Sequence, residues 1–345
     1  MKLFRVYFVC RRCRVGSYAL DDRLGVIGSR SPMAERLICL AGASWSFDGA
    51  AEHLREFCGL AISDNSIRAV CQQHGSTMSR WQHSEPEAVR PFREADGDIE
   101  FTTDGTSVNT TAGWREMKLA IFSKRQRGES ATPEQWDKRS LPAPHVRLAF
   151  AAIERSGRFG SRWKQWSRRL GILDASNITV LADGAKWIWE EQLNHLRGAE
   201  GVLDIFHALE HVSDTSKTLY GEGTSAATAW TDTTRNILLA GGWKAISQHI
   251  ATTKLQFRSR PKRAALEALQ AYLAAHAYHL NYAERLAEGR SIGSGQVEGA
   301  CKNMIGRRLK QTGARWRIRR VNRMASLCSL LYSNHWNTYW NHLNP

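Results

Sequence analysis

Apolar residues recur at helical spacing from residue 34 to about residue 80, and this pattern predicts an all-helical segment. A first helix is predicted over 46–57, and a short turn that contains a glycine follows it. Ser63 is a suitable N-cap for a second helix over 64–74. Two short helices joined by such a turn are typical of a helix-turn-helix.

The second of these helices is expected to present Asn65, Arg68 and Gln72 on its exposed face. In a helix-turn-helix this helix enters the major groove of DNA, where these side-chain types can pair with base edges. The alternative is a plain helical hairpin that serves packing or dimerisation. The basic composition of the chain favours DNA binding.

A strand-rich pattern begins near residue 99. One strand is predicted to end at Asp104, another to end at Asp183, and a third to contain Asp204. Strands that then alternate with helices predict an α/β fold, a mixed sheet flanked by helices. The predicted strands cover 99–104, 114–122, 146–153 (or the start of a helix there), 178–183 and 202–206, and the predicted helices cover 159–171 and 187–196.

Residues 212–290 contain Ala-rich amphipathic stretches, which we interpret as an all-helical insertion. The acidic, Pro-containing stretch 84–98 is a predicted linker. The tail is predicted as a basic helix that becomes apolar at 325–332. The segments are therefore 1–33 (N-terminal strand and Cys-x-x-Cys knuckle), 34–95 (helix-turn-helix region and linker), 96–211 (first part of the sheet domain), 212–290 (helical insertion) and 291–345 (the helix of Glu298 and the C-terminal helix).

The chain of 345 residues carries 48 Lys and Arg against 33 Asp and Glu, a net charge of +15. Since the basic residues cluster, we favour a nucleic-acid partner over a protein that is merely basic. No apolar run approaches the roughly 18 residues of a membrane span, and the N-terminus does not resemble a secretory signal. The seven scattered cysteines indicate a reducing cytoplasm rather than a disulfide framework.

Cys10 and Cys13 form a Cys-x-x-Cys pair after an apolar strand. Such a pair is half of a structural zinc site, which requires a second pair of ligands. No second pair follows at a suitable spacing. The two residues are therefore either half of a zinc site or ordinary reduced thiols, and we favour the thiols.

Three acids far apart in the sequence are candidates for one metal site. Asp104 and Asp183 are each followed by glycine at a predicted strand end, and Glu298 lies near the start of a predicted helix. If these carboxylates converge, their repulsion requires divalent cations, and an all-oxygen ligand set favours Mg²⁺ or Mn²⁺. Two such ions can activate an attacking hydroxyl and stabilise the leaving oxygen in phosphoryl transfer. The alternative is two Asp-Gly turns and an acid that favours a helix N-terminus.

Asp204 is a second candidate for the middle ligand, and His207 follows it at a spacing that suits either a metal pair or a buried hydrogen bond. We rank Asp183 first because Asp204 is predicted to lie within its strand. The helix of Glu298 is rich in basic residues, which we expect to hold a phosphate backbone. These residues are Lys302, Arg307, Arg308 and Lys310.

Four motifs together resemble bacterial insertion-sequence transposases of the Kra type, relatives of the Mutator-like DDE group. They are Thr-Asp-Gly-Thr at 103–106, Leu-Ala-Asp-Gly-Ala-Lys-Trp-Ile-Trp at 181–189, Leu-Asp-Ile-Phe-His-Ala-Leu-Glu-His at 203–211 and Ile-Gly-Ser-Gly-Gln-Val-Glu-Gly-Ala-Cys-Lys at 292–302. The resemblance covers nearly the whole chain. It implies an RNase H-like core with a helical insertion, the triad Asp104, Asp183 and Glu298, and Asp204 and His207 as a supporting motif.

The resemblance also implies Mg²⁺-dependent (or Mn²⁺-dependent) cleavage and joining of double-stranded DNA, at the terminal inverted repeats of an element and at a target. We expect a homo-oligomer on DNA, in the cytoplasm at the nucleoid, without a membrane partner. Relatives generally have more sequence before the knuckle, so a shortened N-terminus is expected. The competing hypothesis is an inactive remnant that only binds DNA; a nuclease that hydrolyses without joining is a third.

Overall fold

The computed structural model describes residues 6–18, 21 and 30–343. The chain divides into two compact units. The first comprises Met1–Ala88, Asn109–Gly113 and Asn303–Pro345, and the second comprises Val89–Val108 and Trp114–Lys302. Within the described part of the chain, no helix is both long enough and apolar enough to cross a lipid bilayer.

The strands are β1 (Phe8–Val9), β2 (Gly16–Ser17), β3 (Asp98–Thr110), β4 (Gly113–Arg125), β5 (Val146–Ala152), β6 (Ile178–Ala182) and β7 (Glu200–Leu203). The α-helices are α1 (Pro32–Ser44), α2 (Phe47–Cys58), α3 (Asp64–Ser84), α4 (Arg90–Glu94), α5 (Ser156–Arg169), α6 (Lys186–His195), α7 (Ile205–Tyr220), α8 (Ser225–Leu255), α9 (Arg260–Ala275), α10 (Tyr282–Ala287), α11 (Gly295–Ala300), α12 (Arg307–Leu309), α13 (Ile318–Tyr332) and α14 (Trp336–Leu343). A π-helical turn, Cys301–Gly306, connects α11 to α12.

The helical segment of the first unit begins as the sequence predicts. The Ser46 hydroxyl caps α2 by accepting the Gly49 N–H, and the Ser63 hydroxyl caps α3 by accepting the Ser66 N–H. Gly59 ends α2 in the left-handed conformation, with φ of 62°. Helix α3 is ten residues longer than predicted because its apolar face continues and packs against α13.

The core of the first unit forms where α3 meets α1, α2 and α13. Ile38, Ile67 and Met78 are fully buried there. A buried polar chain crosses the same core: the His74 ring contacts the Glu35 carboxylate at 3.0 Å and the Tyr339 hydroxyl at 2.9 Å. Paired in this way, the buried polar groups avoid the penalty for unsatisfied hydrogen-bonding atoms.

At the N-terminus, β1 and β2 form a short antiparallel hairpin. Its turn holds Cys10 and Cys13, and Arg14 has a positive φ of 61°. The predicted segment 1–33 falls partly on residues 1–5, 19–20 and 22–29, which lie outside the described residues.

The second unit contains a five-stranded mixed sheet in the order β5-β4-β3-β6-β7. Strand β4 is antiparallel to β5, whereas β3 pairs with β6, and β6 with β7, in parallel. This confirms the prediction of an α/β fold with a mixed sheet flanked by helices. The predicted end of the first strand at Asp104 is wrong, because β3 continues to Thr110. Residues 146–152 form a strand rather than a helix start.

One continuous hydrophobic core joins this sheet to the helices that follow it. Trp163 of α5 and Ile188 of α6 are buried in it, as are Leu238 of α8 and Leu273 of α9. The helices over 212–290 therefore belong to the same compact unit as the sheet. The predicted linker also contributes to this core, since Phe92 of α4 is buried.

Candidate active site

The register of the sheet aligns three aspartates. Strand β3 pairs with β6 up to Thr102 and Leu181, and β6 pairs with β7 up to Ala182 and Leu203. Continuing each register by one or two residues places Asp104, Asp183 and Asp204 in one row. Because neighbouring strands are about 4.8 Å apart, adjacent members of this row lie close together.

Asp104 lies within β3 rather than at its end. Its Oδ1 accepts the N–H of Gly105 at 2.6 Å, and its Oδ2 lies 3.6 Å from the thiol of Cys301. Burial raises the pKa of Asp104, and the negative charge of Asp183 raises it further. The two carboxylates are therefore close enough to repel each other.

Asp183 follows β6 directly and is half-buried. Its Oδ1 accepts the N–H of Ala185 at 2.9 Å, and its main-chain carbonyl accepts the indole N–H of Trp189 at 2.9 Å. These bonds fix the turn into α6. No protein donor bonds its Oδ2 within the described part of the chain, so this oxygen is free to bind a cation.

Asp204 does not lie within a strand, so that prediction is wrong. It follows β7 directly and is the N-cap of α7, where its Oδ1 accepts the N–H groups of Phe206 (2.7 Å) and His207 (3.0 Å). Its Oδ2 accepts both the N–H and the hydroxyl of Ser294. With both oxygens bonded and only 2% of the residue exposed, Asp204 clamps the loop before α11 to the start of α7.

The clamp also sets the charge of Asp204 and His207. Burial acts to raise the pKa of Asp204, but hydrogen bonds from His207 and Ser294 prevail and lower it. The Nδ1 of His207 lies 3.5 Å from the Asp204 Oδ1, and this carboxylate raises the pKa of His207 to about 9. A protonated His207 therefore places a positive charge beside the row of acids.

Glu298 lies on α11, and its exposed carboxylate is paired with the ammonium of Lys302. Cys301, three residues on and hence on the same helical face, contacts Asp104. This face therefore lies beside the acidic row, while the Glu298 carboxylate is turned toward Lys302. Among residues 6–18, 21 and 30–343, no three His, Cys, Asp or Glu residues are grouped to hold a metal ion.

The donor chemistry of the row nevertheless fits a hard divalent cation. Asp104 and Asp183 supply adjacent carboxylates, and burial together with the charge of Asp183 raises the pKa of Asp104. Both oxygens of Asp204 already accept hydrogen bonds from the protein. Glu298 would complete a three-carboxylate set only after its side chain leaves Lys302.

Of the other predicted basic residues, Arg307 and Lys310 are exposed. Arg308 is not, since only 3% of it is accessible and its Nε donates to the carbonyl of Gly42 at 2.6 Å. The sequence analysis grouped Arg308 with Arg307 and Lys310 as residues that hold a phosphate backbone, and the structure buries Arg308 while the other two are exposed. The Arg308 side chain packs against the rings of Phe47 and Trp316 inside the first unit.

The predicted base-reading face of α3 is only partly present. Asn65 is exposed and accepts a hydrogen bond from the guanidinium of Arg68. Gln72 is 8% exposed, and its amide donates to the main-chain carbonyl of Arg320 at 3.0 Å. The prediction that Gln72 is exposed is wrong, because α13 packs against this side of α3.

Cys10 and Cys13 are both exposed on the N-terminal hairpin. Hydrogen bonds from the main chain and the thiol of Cys13 lower the pKa of Cys10. No other Cys, His, Asp or Glu joins them as a third ligand within the described ranges. Half a zinc site and a pair of reduced thiols both stay open as interpretations.

The sequence interpretation did not single out Ser294 and Cys301. Ser294 ties the loop before α11 to Asp204, and Cys301 connects the helix of Glu298 to Asp104. The three-residue spacing of Cys301 from Glu298 was a usable signal, since it predicts a shared helical face. The role of Ser294 depends on a contact 90 residues away and has no local signal.

No protein-family model matches the chain. Comparison with curated proteins likewise finds no match.

Proposed function

We propose that the protein is a DDE transposase, which cleaves and joins DNA strands at the ends of an insertion sequence. The observation that supports this proposal most is the row of Asp104 and Asp183 on neighbouring parallel strands, with the helix of Glu298 beside it. The sequence motifs around these acids, which resemble Kra-type transposases, agree with it. In this proposal the sheet unit is RNase H-like and α2 and α3 form a helix-turn-helix.

Asp104, Asp183 and Glu298 would hold Mg²⁺ or Mn²⁺, which supplies charge neutralisation at the attacking and leaving oxygens of a phosphoryl transfer. The protein's own contribution is positioning. Asp204 ties the loop before α11 to the start of α7, and so sets where the helix of Glu298 begins. Lys302 holds the Glu298 carboxylate until that side chain turns toward the row.

The DNA partner in this proposal is double-stranded, both at the terminal inverted repeats and at the target. The net charge of +15 supports it, because a basic surface gains affinity by releasing counterions from DNA. We further propose that the protein acts as a homo-oligomer on DNA at the nucleoid.

The pairing of Glu298 with Lys302 favours one competing function, a protein that binds DNA without cutting it. In that case the third carboxylate stays with Lys302, and the row cannot assemble a complete ligand set. Binding would then be sensitive to salt, but no metal would support cleavage.

Strand nicking and joining on labelled end DNA with Mg²⁺ distinguishes the two functions. We expect Asp104→Asn, Asp183→Asn and Glu298→Gln each to reduce the rate by roughly a thousandfold while DNA affinity is retained. Asp214→Asn, an exposed acid paired with Lys217 on α7, is the matched control and should have wild-type activity. Undiminished nicking in the first three variants would refute the transposase proposal. No cleavage by the wild-type protein with any metal would favour the binding protein.

A further inference from the structure

The first unit contains a cavity of about 460 Å³ that combines five arginines. Arg68 of α3 and Arg320 of α13 line it, and the others come from the segment that contains α12 and the loop after it. The five are Arg68, Arg308, Arg315, Arg317 and Arg320. Among its described lining residues Asp48 and Asp64 are the only acids, so positive charge is in excess.

Arg308 is the buried member of this group. Its guanidinium lies between two aromatic rings, 4.6 Å from the centre of Phe47 and 5.1 Å from that of Trp316. Its Nε bonds the Gly42 carbonyl. Its Nη2 is buried and bonds no partner in the part of the chain that the structure describes. The side chain is thus fixed in place with one donor nitrogen unused.

An unused N–H donor on a buried cation is unfavourable, because that donor lacks an acceptor. No carboxylate lies within ion-pair distance of Arg308 among the described residues, and Asp48, whose charge acts on it, is exposed. Burial accordingly lowers the pKa of Arg308. Arg308 lines the cavity, so an anion there would compensate its buried charge.

The remaining arginines show which anion fits. Arg68 bonds only the Asn65 side chain, and neither it nor Arg315, Arg317 or Arg320 forms an ion pair within the described ranges. Several guanidinium groups around one cavity suit a multiply charged tetrahedral group that accepts forked hydrogen bonds. A single carboxylate would satisfy one fork and leave the others unpaired.

We propose that this cavity binds a phosphate group, held by the fixed guanidinium of Arg308 and by Arg68 and Arg320. The phosphate site stands on its own geometry. That the phosphate belongs to a DNA backbone rests on the proposed function, and a free phosphate ester is the other source of the same chemistry. A backbone phosphate at this position would anchor α3 on DNA without reading bases.

The first experiment measures thermal unfolding of the full chain in sodium phosphate against sodium chloride of equal ionic strength. A ligand at about ten times its dissociation constant raises the melting temperature by about 2–4 °C. We expect this increase in the wild-type protein and in Arg319→Gln, an exposed neighbour on α13 that does not line the cavity. It should be absent in Arg308→Gln and smaller in Arg320→Gln.

Arg308→Gln removes an uncompensated buried charge, so its melting temperature in chloride should not fall far below that of the wild type. Should that variant fail to fold, the comparison of Arg320→Gln with Arg319→Gln decides the matter. An equal phosphate effect in those two variants, or no phosphate effect in the wild-type protein, overturns the site.

The second experiment identifies the source of the phosphate. With a duplex of the element end, Arg68→Gln and Arg320→Gln should each lower the slope of log affinity against log salt by about 1, and Arg319→Gln should not. Equal slopes in all three variants, together with a phosphate effect on melting, overturn the DNA assignment in favour of a free phosphate ester. Loss of nicking in Asp104→Asn tests the proposed function separately and leaves both measurements unaffected.

Discussion

The acidic row of the second unit and the arginine cavity of the first are charged sites of opposite sign that arise differently. The row is set by main-chain register, since three neighbouring parallel strands bring Asp104, Asp183 and Asp204 into line. The cavity is set by side-chain packing between distant segments, as in the bond from Arg308 to Gly42, which are 266 residues apart. A site built on register depends on the sheet, whereas a site built on packing depends on each helix contact around it.

The largest expected effect tests whether two neighbouring acids of the row differ in role, Asp204 being structural and Asp183 functional. Asp204→Ala leaves four donors of Phe206, His207 and Ser294 unpaired, and should lower the free energy of unfolding by about 3–4 kcal/mol. Asp183→Ala loses the single bond to Ala185 and should lower it by only about 1 kcal/mol. Urea unfolding measures both. Equal losses would mean that the two aspartates do not differ in role.

Much of the acidic row was accessible from the sequence. The apolar run before Asp183 and the glycine after it mark a buried strand and a turn, and both are present. The Asp-Gly pair at Asp104 gave a wrong prediction of a strand end, because strand pairing across the sheet overrides a local turn signal. At Asp204 the sequence contained an N-cap signal that the apolar run from Val202 to Phe206 obscured.

The arginine cavity could not have been predicted in the same way. Arg307 and Arg308 are adjacent and chemically identical, yet one is exposed and the other buried. The difference arises from the rings of Phe47 and Trp316, which no local pattern connects to Arg308. Gln72 is similar, since only the approach of α13 decides that it is buried.

The dependence of the first unit on packing can be tested at Gly75 on α3. A Cβ there would lie 2.3 Å from the carbonyl oxygen of Arg323 on α13, so Gly75→Ala should lower the free energy of unfolding by about 2 kcal/mol. Gly299→Ala in the second unit is the matched control, because a Cβ there meets no atom within 4 Å. It should be neutral or stabilise by up to about 1 kcal/mol.

Because α3 and α13 both line the cavity, Gly75→Ala should also reduce the phosphate effect on melting. A full phosphate effect in this variant would show that the cavity tolerates a shift of its helices. In that case the cavity would not depend on each helix contact around it, and the proposed difference between the acidic row and the arginine cavity would fail.

A smaller effect is expected at Gln72. Gln72→Leu removes the hydrogen bond to the Arg320 carbonyl but keeps the side chain buried, so the free energy of unfolding should fall by about 1 kcal/mol. Sequence preference in a DNA-binding selection should not change, since the amide does not face solvent. Asn65→Ala, at an exposed position of the same helix, is the comparison and should alter that preference. A changed sequence preference in Gln72→Leu would show that α13 moves away from α3 when the protein binds DNA.

The smallest expected effect concerns His207, the positive charge that the second unit keeps beside its acids. Asp204 raises the pKa of His207 to about 9, above its unfolded value of about 6.5. The folded protein therefore binds more protons between these values, so this stabilisation is complete below about pH 6.5 and is lost as the pH rises through about 9. Since 39% of the side chain is exposed, solvent screening should keep the change below about 1 kcal/mol.

Urea unfolding in EDTA from pH 6 to pH 10 measures this decline in stability. The wild-type protein should show it in full, and His207→Gln should show a weaker decline. His211→Gln, which changes an exposed histidine on the same helix, is the control and should behave like the wild type. Identical declines in all three proteins would mean that His207 is not held protonated by Asp204.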